Sequence, residues 1–88
     1  MIEQIEEMLS VYERSEIVIK ALEEKIHACQ GVRYIYLTWS RRVQFTMYMR
    51  PGIVLNVQVN DTDLDPEYID SLFRSALVNK FWEGDENA

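Results

Sequence analysis

The fold is decided by residues 32–60, which read VRYIYLTWSRRVQFTMYMRPGIVLNVQVN. Apolar and polar side chains alternate here in three runs, at residues 32–39, 43–50 and 53–60. Alternation with a period of two is typical of half-buried strands, because successive side chains point to opposite faces of a sheet. The connections are about three residues long, which only antiparallel neighbours allow. The stretch therefore predicts a three-stranded antiparallel meander.

The alternation also sorts the side chains of the meander into two faces. Trp39 and Val43 lie on one face only if the loop between them has an odd number of residues. We therefore predict a three-residue first loop with these two residues paired. The second turn, with Pro51 followed by Gly52, fits type II and also requires an odd loop. The face predicted to be covered carries Ile35, Leu37, Trp39, Val43, Phe45, Met47, Met49, Ile53, Leu55, Val57 and Val59. The face predicted to meet water carries Tyr34, Tyr36, Thr38, Gln44, Thr46, Tyr48, Arg50, Val54, Asn56, Gln58 and Asn60.

A helix is predicted on each side of the meander. Residues 2–29 place apolar side chains at a spacing of 3.6, with the glutamates off that stripe. Gly31 is expected to end this helix by taking a left-handed conformation. After the meander, Asp65 is a suitable N-cap for a second amphipathic helix over residues 66–82. A short acidic tail, residues 83–88, is expected to fray.

These elements predict an α+β fold in one domain, residues 1–88. It has two layers in the order α-β-β-β-α, with both helices on the apolar face of the sheet. A domain of this length buries enough surface for one modest core.

The length of the first helix raises the question of a partner. A helix over residues 2–29 would be about 42 Å long, whereas an eight-residue strand is about 26 Å long. The helix must therefore overhang the sheet or break, and Ser10 and Ser15 are the candidate break points. An unbroken helix would leave apolar side chains to be covered by a second copy, so we expect a homodimer. The expected oligomer contacts are Ile2, Ile5, Met8, Leu9, Val78 and Trp82.

Composition and charge restrict the cellular setting and the partners. The 88 residues carry a net charge of −6 and one cysteine, Cys29, which suits a reducing compartment. No apolar run approaches 18 residues or so, and the start lacks the plan of a signal peptide. We expect a cytoplasmic protein without a membrane partner. Residues 31–60 hold four arginines and no acid, and subtracting this +4 from −6 leaves −10 on the remainder.

Catalytic and metal-binding patterns are absent from the sequence. His27 and Cys29 are two residues apart on a helix and point roughly opposite ways, so they cannot share a metal or form a catalytic pair. The aspartates within residues 61–65 begin like a calcium loop, but Pro66 and Leu72 stand where that loop needs glycine and glutamate. We therefore predict a protein that is not an enzyme and has no metal or cofactor.

Two surfaces are candidates for binding a protein partner. The predicted register places Tyr34 opposite Tyr48 with Val54 in the same row, and tyrosine and arginine dominate interface hot spots. Strand propensity alone would also put tyrosine on a solvated face. The candidate sheet-face residues are Tyr34, Tyr36, Tyr48, Arg50 and Val54. The alternative surface is the acidic first helix, with Glu6, Glu13, Glu16 and Glu24.

The α-β-β-β-α order resembles that of double-stranded-RNA-binding domains. Their RNA contacts would fall on residues 61–67 and on the first helix, and both stretches are acidic here, the wrong sign for phosphate. The order is also similar to the first half of type III secretion chaperones, which are small acidic dimers. Small acidic phage inhibitors, including some anti-CRISPR proteins, share the order and the charge. No family is assigned on these resemblances.

The leading hypothesis is a non-enzymatic interaction module, an acidic inhibitor or adaptor that binds another protein. In one version it comes from a phage or mobile element, and its carboxylates mimic DNA phosphates in the groove of a nucleic-acid-processing enzyme. Two alternatives stay open. One is a single-stranded nucleic-acid binder that stacks bases on the Tyr/Arg sheet face. The other is a dimer of the secretion-chaperone type.

Overall fold

The computed structural model describes the backbone of residues 2–86 and the side chains of residues 10–80. The three strands form one antiparallel sheet in the order β1-β2-β3, and both helices pack on the same face of it. The predicted α+β architecture and meander are thereby confirmed. The elements are α1 (Ile2–Lys25), β1 (Cys29–Leu37), β2 (Arg42–Met49), β3 (Ile53–Asn60) and α2 (Pro66–Glu86).

The core lies between the helix layer and the sheet. The central strand β2 contributes side chains that are fully buried, because both of its neighbours and both helices surround it. Burying one large apolar side chain stabilises the fold by about 1.5–3 kcal/mol, so this set accounts for much of the driving force. The core side chains with less than 2% exposure are Val18 and Leu22 from α1, Val43, Phe45 and Met47 from β2, and Ile69 and Phe73 from α2.

Helix α1 is continuous past Ser10 and Ser15, so neither candidate break point interrupts it. It ends at Lys25 rather than at residue 29, and Gly31 does not end it. Instead, the Cys29 N–H donates to the carbonyl of Ile26 at 3.1 Å, and the chain enters β1 directly. Gly31 lies inside β1, just after a bulge in the pairing with β2.

Helix α2 begins as predicted and ends later. The N–H of Glu67 donates to Oδ1 of Asp65 at 3.3 Å, which confirms Asp65 as the cap. The helix continues to Glu86, so most of the stretch expected to be a frayed tail is helical.

The first hairpin differs from the prediction. Its turn has four residues, 38–41, and Arg41 takes the left-handed conformation with φ of 56°. Tyr34 therefore lies opposite Phe45 and not opposite Tyr48, a shift of three residues. An odd shift moves every side chain of a strand to the other face. The predicted faces of β1 are thus wrong, and so is the pairing of Trp39 with Val43.

The second turn is three residues long, as the alternation requires. Met49 lies opposite Ile53, and Gly52 has a positive φ of 105°. The turn is closed by the Gly52 N–H donating to the Met49 carbonyl at 2.8 Å, with a cis peptide before Pro51. Pro51 is therefore the third residue of the turn, and the predicted type II geometry is wrong. The faces of β2 and β3 are as predicted.

Candidate protein interface

The sheet has one face that neither helix covers, which we call the open face. Its strand positions carry two arginines and no carboxylate. Just beyond the strands, Oδ2 of Asp63 accepts a hydrogen bond from Nδ2 of Asn60 at 3.2 Å. The open face consists of Arg33, Ile35 and Leu37 from β1, Arg42, Gln44, Thr46 and Tyr48 from β2, and Val54, Asn56, Gln58 and Asn60 from β3.

Polar side chains in the middle of the open face bond to one another across β2 and β3. Thr46 Oγ1 donates to Asn56 Oδ1 at 2.7 Å. Gln58 Nε2 donates to Gln44 Oε1 at 3.1 Å. Both pairs occupy opposed positions in the ladder, where side chains are close enough to interact. Each bond satisfies one donor and one acceptor of these side chains, and so removes part of the cost of taking them out of water.

Apolar side chains border this polar centre at one end and on its β1 side. Ile35 is 59% exposed, and Tyr48 and Val54 lie side by side in one row, as predicted. The Arg33 guanidinium lies 5.8 Å from the centroid of the Tyr48 ring, within the range of a cation–π interaction. Trp39, in the turn beside the open face, is 80% exposed. A tryptophan that packs on so little of its own chain is a strong candidate for an interface anchor.

Two of the predicted sheet-face tyrosines lie on the other face. Tyr34 and Tyr36 point towards α1, where the ring of Tyr12 lies 6.1 Å from each of theirs. Burial raises the pKa of Tyr34, and the carboxylate of Glu16 adds to the effect. The prediction that these two tyrosines share a face with Tyr48 is therefore wrong.

The remaining predicted interface residues are dispersed. Arg50 is exposed in the second turn, and Glu13, Glu16 and Glu24 are exposed on α1. Val78 is exposed on α2. The other residues predicted to bind a partner or a second copy lie outside the described side chains: Ile2, Ile5, Glu6, Met8, Leu9 and Trp82.

A polar cluster lies where the first hairpin turn meets the end of β3. Oδ2 of Asp61 accepts hydrogen bonds from the Tyr36 hydroxyl at 2.8 Å and from Arg41 Nε at 3.1 Å. Burial raises the pKa of Tyr36, and its bond to Asp61 raises it further. Because the carboxylate is buried and bound by two donors, it stabilises the turn.

No metal centre is visible in the described part of the chain. Among residues 10–80, no three histidine, cysteine or acidic side chains converge in a way that could hold a metal ion. His27 is exposed, whereas Cys29 is half-buried, and burial raises the pKa of its thiol. Neither described helix has the length and apolarity that crossing a membrane would need.

Sequence reasoning missed Ile35 and Trp39, which it placed on the covered face. In β1 the alternation is between tyrosine and aliphatic residues, so both faces of this strand are apolar enough to be buried. The available signal was the charged residue of the strand. Arg33 shares its face with Ile35 and Leu37, and an unpaired arginine belongs on the solvated side.

No protein-family model matches this chain, and no match was found among characterised proteins or solved structures.

Proposed function

We propose that this chain is a non-enzymatic protein-interaction module that binds its partner through the open face, with Trp39 as the anchor. The observation that carries the proposal is the exposure of Trp39, 80%, beside a face where Ile35 is also exposed. Interfaces are enriched in tryptophan, tyrosine and arginine, and a few such residues supply most of the binding energy. The open face and the adjoining first turn together offer all three types.

The charge of the open face indicates the sign of the partner's surface. Arg33 and Arg42 lie on it, and Arg50 is in the adjoining second turn. The glutamates lie mainly on α1, in the opposite layer. A partner with an acidic patch would therefore be attracted to the open face and repelled by the helices, which orients the encounter.

The alternatives use other surfaces. Stacking of single-stranded nucleic acid on the sheet would need several rings on one face, and only Tyr48 of the three strand tyrosines lies there. An acidic inhibitor or DNA mimic would instead use the exposed Glu13, Glu16 and Glu24 of α1. A homodimer remains a third expectation.

The test compares truncations on the two layers. Ile35 and Ile17 are the same residue with nearly the same exposure, 59% and 61%, on the open face and on α1 respectively. The partner is first captured from the native host with the intact chain, and its affinity is then measured by calorimetry. Trp39→Ala should cost on the order of 2 kcal/mol of binding, about 30-fold in Kd. Ile35→Ala should weaken binding, and Ile17→Ala should not.

The opposite pattern would refute the proposal. If Trp39→Ala and Ile35→Ala bind as the intact chain does, while charge reversals at Glu13 and Glu24 abolish binding, then the acidic helix is the working surface. Steep weakening of binding by salt would accompany that result.

A further inference from the structure

Strand β1 lies at an edge of the sheet, with β2 on one side and no strand from residues 2–86 on the other. Along an antiparallel strand, successive residues direct their backbone N–H and C=O groups to opposite sides. The Asp61 N–H donates to the Arg41 carbonyl at 2.9 Å, and these two residues continue the register in which β2 pairs with β3. Odd-numbered residues of β2 therefore exchange backbone hydrogen bonds with β3, and even-numbered residues exchange them with β1. The even-numbered residues of β2 face odd-numbered residues of β1. The residues of β1 whose backbone groups point outward are therefore Val32, Tyr34 and Tyr36.

The two edges of the sheet differ in how they are protected. At the β3 edge, Lys80 Nζ donates to the outward carbonyl of Val54 at 3.3 Å. The hydrogen bonds of side chains and loops within residues 10–80, those of Arg41 apart, do not involve the outward backbone groups of β1. β1 also lacks proline, and its one charged residue is Arg33. Long edges of this kind are ready to pair with another strand, which is why proteins usually obstruct them.

The helix layer is wider than the sheet beneath it. Two packed helices occupy about 20 Å, whereas three strands at about 4.8 Å occupy about 14 Å. The difference is close to the width of one strand. The exposure of side chains places the uncovered part of the helix layer at the β1 edge. Tyr12 of α1 is 38% exposed there, and Tyr34 and Tyr36 are only half-buried although they face a helix. At the same level on the central strand, Phe45 is fully buried.

We infer that the β1 edge accepts one extended segment of the partner protein as a fourth strand, paired with the backbone of Val32, Tyr34 and Tyr36. The inference rests on the proposed function and specifies which part of the partner makes the contact. The added strand would fill the space beneath α1 and cover the three tyrosine rings there. On its other side it would lie beside Ile35 and Leu37 of the open face, close to the turn that carries Trp39.

Charges along the edge specify the chemistry of that segment. Glu16 lies close enough to Tyr34 to raise its pKa, and Glu23 Oε2 lies 3.9 Å from where a Cβ on Gly31 would be. Neither glutamate forms a salt bridge with another residue of the described side chains. A strand that presents lysine or arginine on its helix side would pair with both. Residues on its open side should be apolar, because they meet Ile35 and Leu37.

A second copy of this chain fits the edge less well than a foreign strand does. Pairing β1 with the β1 of another copy would bring two α1 helices over the same narrow space. It would also bring the Glu16 side chains of both copies towards each other, and like charges repel. The occupant is therefore a segment without a helix above it.

The first measurement uses the free protein. Amide hydrogen exchange followed by NMR should show the N–H groups of Val32, Tyr34 and Tyr36 exchanging at least about tenfold faster than those of Arg33 and Ile35, because only the latter bond to β2. Equal protection of all five amides would overturn the inference, because it would mean that the edge is already covered.

The second measurement uses peptides selected from a random twelve-residue display library against the intact chain. The chain is short enough for total synthesis with ligation at Cys29, which allows single N-methyl groups in the backbone. N-methylation of Tyr34 removes an outward donor and keeps the side chain. N-methylation of Asn56 does the same at the β3 edge and is the matched control. The unfolding midpoints of both variants should equal that of the parent.

We expect the selected peptides to alternate basic and apolar residues without a central proline. Their affinity should fall at least tenfold with N-methyl-Tyr34, stay unchanged with N-methyl-Asn56, and fall with Glu16→Gln together with Glu23→Gln. Equal affinity for the two N-methylated chains would overturn the inference, as would self-association in place of peptide binding. If Trp39→Ala abolishes binding of the native partner while the chain with N-methyl-Tyr34 binds it normally, the edge inference fails and the proposed function stands.

Discussion

The hydroxyl of Tyr36 donates to Oδ2 of Asp61 at 2.8 Å and so joins the first strand to the residue that follows the third. The same oxygen accepts from Arg41 Nε, and the Asp61 side chain is 7% exposed. A carboxylate buried to this degree needs such partners, because an unpaired charge would destabilise the fold. The contact fastens the first hairpin turn, and with it the register of β1, to the end of β3.

Removing the hydroxyl of Tyr36 should therefore destabilise the protein. A hydrogen bond to a charged group is worth about 1.5–3 kcal/mol, and we expect Tyr36→Phe to lower the free energy of unfolding by about 1.5 kcal/mol. Tyr48→Phe is the control, because Tyr48 lies on the open face with no hydrogen bond from its hydroxyl within the described residues. Urea denaturation of both variants measures the difference, and equal effects would contradict the role of Asp61.

Stability should fall at alkaline pH. Burial raises the pKa of Tyr36, with Asp61 contributing, and burial raises that of Tyr34, with Glu16 contributing. A raised pKa means that the folded state holds the proton more tightly than the unfolded state does. The resulting stability is complete below the unfolded pKa of about 10 and is lost as pH rises through the folded value. Unfolding curves across this range should show the loss, and the Tyr34→Phe, Tyr36→Phe double variant should flatten it.

The faces of β1 can be tested with two neighbouring residues. Tyr34 packs against Phe45, with ring centroids 6.2 Å apart, so Tyr34→Ser should cost at least about 2 kcal/mol of unfolding free energy. Ile35 is exposed on the open face, so Ile35→Ser should change stability by about 0.5 kcal/mol or less. The reverse ranking would mean that the first hairpin has the three-residue loop that the alternation favours.

Ser15 should be replaceable with a gain in stability. Its side chain is fully buried on α1, and its Oγ has no hydrogen-bond partner among the described residues. Ser15→Ala removes a buried hydroxyl of this kind and raises helix propensity, so we expect about 1 kcal/mol of stabilisation or more. Ser75→Ala is the control. Because Ser75 is exposed on α2, this substitution changes helix propensity alone. A loss of stability in Ser15→Ala would mean that the hydroxyl is bonded in solution.

The two glycines of the sheet region should respond in opposite ways to alanine. At Gly31 a Cβ would meet only Glu23 Oε2 at 3.9 Å, so Gly31→Ala should leave stability unchanged or raise it by about 0.4–1 kcal/mol. At Gly52 the φ of 105° disfavours any side chain, and Gly52→Ala should cost about 1–3 kcal/mol. Thermal unfolding measures both. A large loss at Gly31 would restore its predicted role as a helix terminator.

The sequence predicted the element order because its alternation and helical stripes are long and regular. It assigned β2 and β3 to the correct faces because one side of each strand is polar, with Gln44 and Thr46 paired to Gln58 and Asn56. It failed on β1, where tyrosines alternate with aliphatic residues and either face could be buried. The face depends on a four-residue turn with Arg41 in a left-handed conformation. That conformation is supported by Asp61, twenty residues away, and no local pattern shows such a contact.

The candidate interface was therefore found in part. Tyr48 and Val54 were placed together correctly, because β2 and β3 were in register. Trp39 and Ile35 were missed because the prediction exchanged the two faces of β1. The position of β1 at an edge follows from strand order alone. The sequence does not show whether side chains or loops of the folded chain cover that edge.

Every strand in this sheet pairs with the strand next to it in the chain, across turns of four and three residues. Closing loops this short costs little chain entropy, and proteins dominated by such local pairings fold quickly for their size. Contacts between α1 and α2 join residues separated by the whole meander, so they close the longest loop. We therefore expect the two hairpins to form in the rate-limiting step of folding, and the packing of the helices against each other to follow it.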